Sequence, residues 1–234
     1  METIDFGHEQ NQARVLALQG SLYRQVYAWM GAGLLLTAVV ALLTASLPSF
    51  MGLIIGNNLV FFGLIIGELG LVLVIGAAIR KLSAAFAAGL FLFYSLLNGV
   101  TMSVIFVAFT SESIASTFVI TAGMFGAMSA YGYLTRRDLT SWGSFLFMGL
   151  VGVVLASMFN LFMNNDLVYW VSTFCGVVVF TGLAAYDTQK IRALAAMSED
   201  GADMTKPAIL GALMLYLDFI NLFLMMLRLF GRKD

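Results

Sequence analysis

Seven long apolar segments dominate this chain of 234 residues. A helix needs about 20 apolar residues to cross the roughly 30 Å hydrocarbon core of a bilayer. The segments that reach this length cover approximately residues 25–47, 59–79, 84–109, 115–134, 143–163, 168–189 and 207–230. Only 11% of the residues are charged, whereas soluble domains carry about 25%. The sequence therefore predicts an all-α membrane protein with seven transmembrane helices.

Positively charged residues predict the orientation of these helices. Lys and Arg precede the first segment and follow the second, fourth and sixth segments, whereas the first, third and fifth loops contain neither. The positive-inside rule then places the N-terminus in the cytoplasm. We expect a cytoplasmic tail of residues 1–24 and a transmembrane domain of residues 25–234. Because basic residues also follow the seventh segment, a re-entrant last segment is the alternative to a full crossing.

The remaining composition excludes several classes of protein. A net charge of −1 offers no basic surface for nucleic acid, and the polar first 25 residues do not read as a signal peptide. Cys175 is interpreted as a small core residue, and His8 has no second histidine or cysteine with which to share a metal. We therefore expect no cofactor. Gly63 and Gly67 form a GxxxG pattern, which predicts close helix packing in lipid.

Ionisable residues inside the apolar segments are the candidates for function. Such a side chain costs several kcal/mol at bilayer depth unless it faces a partner or water. The candidates are Glu68, Asp187, Asp218 and Arg228, accompanied by the uncharged Asn98, Asn160 and Asn221. Each also has a structural interpretation. Glu68 could be a neutral residue or a buried partner of Arg228, Asp187 could pair with Lys190 or Arg192 at the interface, and Asp218 could bond to Asn or Tyr.

The seventh segment carries three of these residues on one side. At about 100° per residue, Asn221 lies about 60° from Asp218, and Arg228 lies about 20° from Asn221. This side must face the interior of the bundle. We expect Asn221 to support Asp218 by a hydrogen bond. Arg228, near the far end, is expected to pair with Glu68 or to anchor the helix at the interface.

Asp187 is the predicted partner of Asp218. The short connection makes the sixth and seventh segments antiparallel neighbours, and a sixth helix that continues to about residue 195 would bring Asp187 level with Asp218. Two adjacent carboxyl groups titrate as a unit and can share one proton. When ionised, they repel each other or bind a hard cation such as Ca²⁺ transiently. The sequence therefore predicts a proton-dependent switch.

The segments "YLDFINLFLMMLRLFG" (216–231), "AAYDTQKI" (184–191) and the long stretch 116–162 resemble the Bax inhibitor-1 (transmembrane Bax inhibitor motif) family, in particular its bacterial inner-membrane members. The resemblance implies a multi-pass inner-membrane protein whose central last helix is wrapped by two groups of three helices. It further implies a pH-sensitive calcium leak in which Asp187 and Asp218 form a proton-controlled latch. Glu68, Arg228 and Arg80 match other polar residues of that family, Arg80 as a further member of the latch.

Three functional hypotheses follow. The first is a channel that passes Ca²⁺ and H⁺, is gated by the aspartates, and has a second constriction at Glu68 and Arg228. The second is a regulatory protein that binds another membrane protein, such as a protease or a stress factor. The third, an intramembrane aspartyl protease, is disfavoured because Tyr186-Asp187 matches only half of the required signature and Asp218 does not lie in a GxGD motif. We therefore expect a protein without enzymatic activity.

Overall fold

The computed structural model describes residues 6–79, 81–196 and 204–233. Over these residues the chain forms helices and no strand. The helices are α1 (Phe6–Ala45), α2 (Pro48–Gly56), α3 (Asn58–Ala78), α4 (Ala84–Met102), α5 (Ile105–Ala108), α6 (Ser111–Leu134), α7 (Thr140–Met163), α8 (Asp166–Ala196) and α9 (Thr205–Phe230).

Seven stretches of helix are long and apolar enough to cross a membrane, which confirms the predicted number. They are Leu16–Ala45, α3, the α4–α5 stretch Ala84–Ala108, α6, α7, Asp166–Leu194 and α9. The predicted boundary between the tail (1–24) and the transmembrane domain (25–234) falls inside α1, which is continuous from Phe6. The short helix α2 was not predicted. It begins with Pro48, whose missing N–H is not needed in the first turn of a helix.

The last helix occupies the centre of the bundle, as predicted. It packs against α1, α4, α6 and α8, and 72% of its most apolar stretch is buried, against 6% for α3. The remaining spanning helices form one group of α1, α3 and α4 and another of α6, α7 and α8. Aromatic residues fill the contacts with α9, as when Phe118 and Phe125 meet the ring of Phe219 edge-on. Most side chains of α3 face outward, where lipid would cover them.

Close approach between α6 and α8 depends on one glycine. A Cβ atom at Gly132 would overlap the backbone of Ala185 on α8, so a larger residue would force the two helices apart. By contrast, a Cβ atom at Gly63 or Gly67 would meet no other atom within 4 Å. The close packing predicted for that GxxxG pattern is therefore wrong within this chain. Cys175 also differs from the prediction, because it is exposed on the surface of α8 and not part of the core.

The C-terminal end of α9 lies beside the beginning of α6. The N–H of Thr110 donates to the carbonyl of Arg232 at 3.0 Å, and the N–H of Arg232 donates to Ser113 Oγ at 2.8 Å. The other end of α9 lies beside the end of α8, where Gly211 faces Ile191. Helix α9 therefore crosses the whole bundle without a break, and the re-entrant alternative is wrong.

Candidate functional site

The structure brings Asp187 and Asp218 together. Helix α8 continues to Ala196 and α9 begins at Thr205, so the two helices run side by side past both residues. The Asp187 side chain is half-buried, and the Asp218 side chain is only 5% exposed. The two carboxyl groups lie close enough to interact directly. The site is therefore a carboxyl pair between the central helix and α8.

The groups around this pair do not supply a hydrogen-bond donor to every carboxyl oxygen. Oδ2 of Asp218 is buried and receives no hydrogen bond from an N–H or O–H group of the described residues. Two ionised carboxylates have no hydrogen atom between them, whereas one protonated carboxyl group can donate to the other. A single proton would therefore complete the contact. Without it, two negative charges face each other at the centre of the bundle.

Basic residues near the pair are partly engaged elsewhere. Lys190, one helical turn after Asp187, is a positive charge that acts on both carboxyl groups. Its Nζ atom lies 5.9 Å from the centroid of the Tyr186 ring. Arg192 donates to the carbonyl oxygen of Tyr133 at the end of α6, at 3.4 Å. Arg192 therefore contacts the end of α6, whereas the sequence suggested an interfacial ion pair with Asp187.

A tyrosine of α1 closes the packing beside Asp187. The Tyr23 hydroxyl donates to the backbone carbonyl of Thr188 at 2.7 Å. The Tyr23 ring packs edge-on against Tyr133, with 4.8 Å between the ring centroids. Helices α1, α6 and α8 are thereby tied together at the level of the carboxyl pair.

Glu68 lies in a separate polar cluster whose hydrogen bonds are satisfied. Its side chain is 8% exposed. Asn98 Nδ2 donates to Glu68 Oε2 at 3.2 Å, and Thr101 Oγ1 donates to Glu68 Oε1 at 2.5 Å. Both donors belong to α4. The predicted pair of Glu68 with Arg228 is therefore absent among the contacts of these two residues.

Tyr216 connects this cluster to the central helix, and sequence reasoning did not identify it. Its hydroxyl lies 3.0 Å from Asn98 Oδ1, to which it donates, and 2.6 Å from Thr37 Oγ1. Because the Tyr216 proton goes to Asn98, the bond between the two hydroxyls uses the proton of Thr37, whose Oγ1 also lies 2.8 Å from the carbonyl oxygen of Ser95. A buried tyrosine hydroxyl generally needs a polar partner, and the position of Tyr216 in an apolar helix was the signal available. Tyr216 bonds toward α1 and α4, whereas Asp218 faces α8.

The other predicted polar residues have local partners. Asn221 Nδ2 donates to the carbonyl of Leu217 on its own helix at 2.8 Å, so the predicted support for Asp218 is not present. The Arg228 guanidinium lies 5.8 Å from the centroid of the Tyr169 ring, in a cation–π contact near the end of the helix. Asn160 Oδ1 accepts from the N–H of Asn165 and stabilises the turn before α8. Arg80 lies outside the described residues.

The fold and the site define a class: an integral membrane protein with a carboxyl pair between its central helix and the helix α8. A family model described as "Inhibitor of apoptosis-promoting Bax1" matches residues 19–234. The chain therefore belongs to the Bax inhibitor-1 family, as its sequence motifs predicted.

Similar proteins occur in several bacteria. The inner membrane protein YbhL of Escherichia coli is 53% identical over 211 residues, which cover 89% of this chain and 90% of YbhL. A protein of Borreliella burgdorferi is 41% identical over 231 residues, or 98% of each chain. A protein of Rickettsia prowazekii is 41% identical over 211 residues, or 89% of this chain and 88% of its own length. With its seven spanning helices, the chain is a multi-pass protein of the inner membrane.

Proposed function

We propose that this protein is a pH-sensitive cation leak that passes Ca²⁺ down its gradient, with Asp187 and Asp218 as the gate. The observation that carries the proposal is the buried carboxyl pair, in which Asp218 Oδ2 has no hydrogen-bond donor among the described residues. Membership in the Bax inhibitor-1 family supports it, because the sequence motifs of that family contain both aspartates.

The proposed gate works through one proton. When the pair shares a proton, an O–H···O bond holds α8 against the central helix α9 and the path is closed. When both carboxyl groups are ionised, their repulsion in a medium of low dielectric constant separates the helices. A higher pH is therefore expected to open the path.

The same carboxylates would contact the passing cation. Ca²⁺ takes about six to eight oxygen ligands, and two aspartates supply only part of this number. The ion would therefore keep some of its water and bind briefly. Among the described residues, no group of three or more acidic, histidine or cysteine side chains gathers to hold a metal. We accordingly propose transient passage of Ca²⁺, and the absence of a cofactor and of enzymatic activity stays a prediction from the sequence.

Other polar residues have supporting roles in this proposal. Glu68 is assigned to the structural cluster with Asn98 and Thr101, since both of its oxygens already accept hydrogen bonds. Arg228 is assigned to anchoring the far end of α9 through Tyr169. Arg80, matched by family resemblance to an arginine of the latch, is proposed to stabilise the closed state.

Flux measurements in liposomes test the proposal. The purified full chain is reconstituted with a Ca²⁺ indicator inside the vesicles, and Ca²⁺ entry is followed as the external pH is varied. We expect entry to rise with pH in the parent protein and to lose its pH dependence in the double variant Asp187→Asn/Asp218→Asn. Empty liposomes and vesicles with heat-inactivated protein are the controls.

Two outcomes would contradict different parts of the proposal. Folded parent protein that passes no Ca²⁺ at any pH would exclude the leak. The regulatory role, in which the chain binds another membrane protein, would then be tested by co-purification. A pH response that persists in the double variant would exclude the aspartate gate and leave the leak itself standing.

A further inference from the structure

A pocket of about 560 Å³ opens between α1, the α6–α7 loop and α8. Four cationic side chains line it, together with one carboxylate; they are Arg136, Arg137, Lys190, Arg192 and Asp138. The leak mechanism uses none of the four as ligands. A cavity with this excess of positive charge is suited to an anion.

A glutamine builds this pocket by fixing the loop to α8. The N–H of Leu139 donates to Gln189 Oε1 at 2.7 Å, and Gln189 Nε2 donates to the carbonyl of Arg137 at 2.9 Å. Both polar atoms of one side chain therefore hold the loop, which sets Arg136 and Arg137 beside the basic residues of α8. The two hydrogen bonds therefore give the exposed basic residues of the loop a fixed position beside α8.

The single carboxylate of the pocket has a separate function. Asp138 Oδ1 accepts from the N–H of Thr140 at 2.8 Å, at the beginning of α7. Hydrogen bonds from the Thr140 side chain and backbone lower the pKa of Asp138. The charge of Asp138 is thus directed at the helix start, and the positive charges of the pocket remain in excess.

Aromatic residues place the pocket at the level of lipid head groups. Trp142 is 58% exposed and Tyr131 and Tyr133 are also exposed, and all three lie within a few residues of the basic loop. Exposed Trp and Tyr side chains are enriched at the boundary between the hydrocarbon core and water. At this depth a phospholipid would bring a phosphate to the pocket and lay its apolar chains beside the exposed helices.

We propose that the pocket between α1, the α6–α7 loop and α8 binds the phosphate-bearing head group of an anionic phospholipid. Arg136 and Arg137 supply forked donors that match phosphate oxygens, and Lys190 and Arg192 supply charge from the opposite wall. The lipid would lie beside the helix that carries Asp187. This inference does not depend on the leak, because binding is measured without flux.

Native mass spectrometry of the purified full chain in a neutral detergent tests the proposal. Phosphatidylglycerol and phosphatidylcholine are titrated separately, and the retained lipid is counted. We expect phosphatidylglycerol to bind more tightly. Arg136→Gln/Arg137→Gln should weaken it by about tenfold or more, since each basic residue near a membrane surface strengthens the binding of anionic lipids severalfold. The matched control Lys81→Gln/Lys233→Gln removes the same charge outside the pocket and should change binding by less than about twofold.

A variant that keeps every charge distinguishes a structured binding site from nonspecific electrostatic attraction of anionic lipid. Gln189→Ala keeps every charge but releases the loop, and we expect it to weaken phosphatidylglycerol binding by about threefold or more through the lost hydrogen bonds. Equal binding of the two lipids by the parent protein would overturn the proposal, even if a variant failed to fold. If Gln189→Ala binds phosphatidylglycerol as tightly as the parent, the inference that Gln189 shapes the binding site is wrong. Inorganic phosphate that binds the pocket as tightly as phosphatidylglycerol does would overturn the assignment to a lipid.

Discussion

Two buried acidic sites in this protein differ in how their hydrogen bonds are completed. Glu68 accepts from Asn98 and Thr101, so each of its oxygens has a neutral donor. Asp218 faces the carboxyl group of Asp187, and its Oδ2 has no donor among the described residues. The first site is complete as it stands, whereas a shared proton would complete the second. Burial of an acidic residue is therefore not by itself a sign of pH sensing.

The location of the two sites sharpens this difference. Glu68 lies on α3, which packs mainly against α4 and contributes few side chains to the core. Asp218 lies on α9, which contacts helices from both groups of the bundle. A change at Glu68 would reach the central helix only through Asn98 and Tyr216, whereas Asp218 belongs to that helix. This is why we assign structure to the first site and gating to the second.

The largest expected effect separates the two sites by their pH response. In reconstituted liposomes, Asp218→Asn should remove most of the difference in Ca²⁺ flux between acidic and alkaline buffer. An amide cannot exchange the shared proton. Glu68→Gln, the matched change at the other site, should keep the response. Equal loss in both variants would abolish the distinction between a structural and a gating acid.

The second effect concerns the packing that holds Asp187 in place. Gly132→Ala would press a methyl group into the backbone of Ala185, two residues before Asp187, and should destabilise the protein by about 1–3 kcal/mol. The control Gly63→Ala adds a methyl group where no other atom lies within 4 Å and should change stability by less than about 0.5 kcal/mol. Thermal unfolding in detergent, followed by tryptophan fluorescence, measures both. A tolerated Gly132→Ala would contradict the close approach of α6 and α8.

The third effect tests the completeness of the Glu68 cluster. Tyr216→Phe removes the hydroxyl that bonds Asn98 and Thr37 and should cost about 1 kcal/mol of stability. The same change at the exposed Tyr131 is the control, for which we expect less than about 0.5 kcal/mol. The pH dependence of flux should stay unchanged in both. A shifted pH response of Ca²⁺ flux in Tyr216→Phe would mean that the two acidic sites are coupled and do not act separately.

Sequence reasoning predicted the bundle and the carboxyl pair for physical reasons. Apolar segments of sufficient length determine the number of spanning helices, and a short connection determines that α8 and α9 are neighbours. A helix continuing to Ala196 then brings Asp187 to Asp218. These predictions depend on helix length and connectivity, which a sequence displays directly.

The partners of the polar side chains could not be predicted in the same way. Helix angle placed Asn221 on the side of Asp218, but its amide bonds the carbonyl of Leu217. Glu68 and Arg228 have complementary charges, yet Glu68 meets Asn98 and Arg228 meets Tyr169. Such choices depend on how far helices are rotated and shifted relative to each other. The pocket around Gln189 depends on the same three-dimensional detail.

The smallest expected effect concerns an acidic residue in water, Asp138. Hydrogen bonds from the Thr140 side chain and backbone lower its pKa, so the ionised form stabilises the folded state. That contribution is present above the unfolded pKa, about 3.9, and is lost as the pH falls through the lower, folded value. The parent should therefore have a slightly higher unfolding temperature than Asp138→Asn at neutral pH. This difference should vanish in acid. A difference that stays constant with pH would mean that the amide, and not the lost charge, causes it. Asp138 thus provides the exposed reference against which the buried acids are compared.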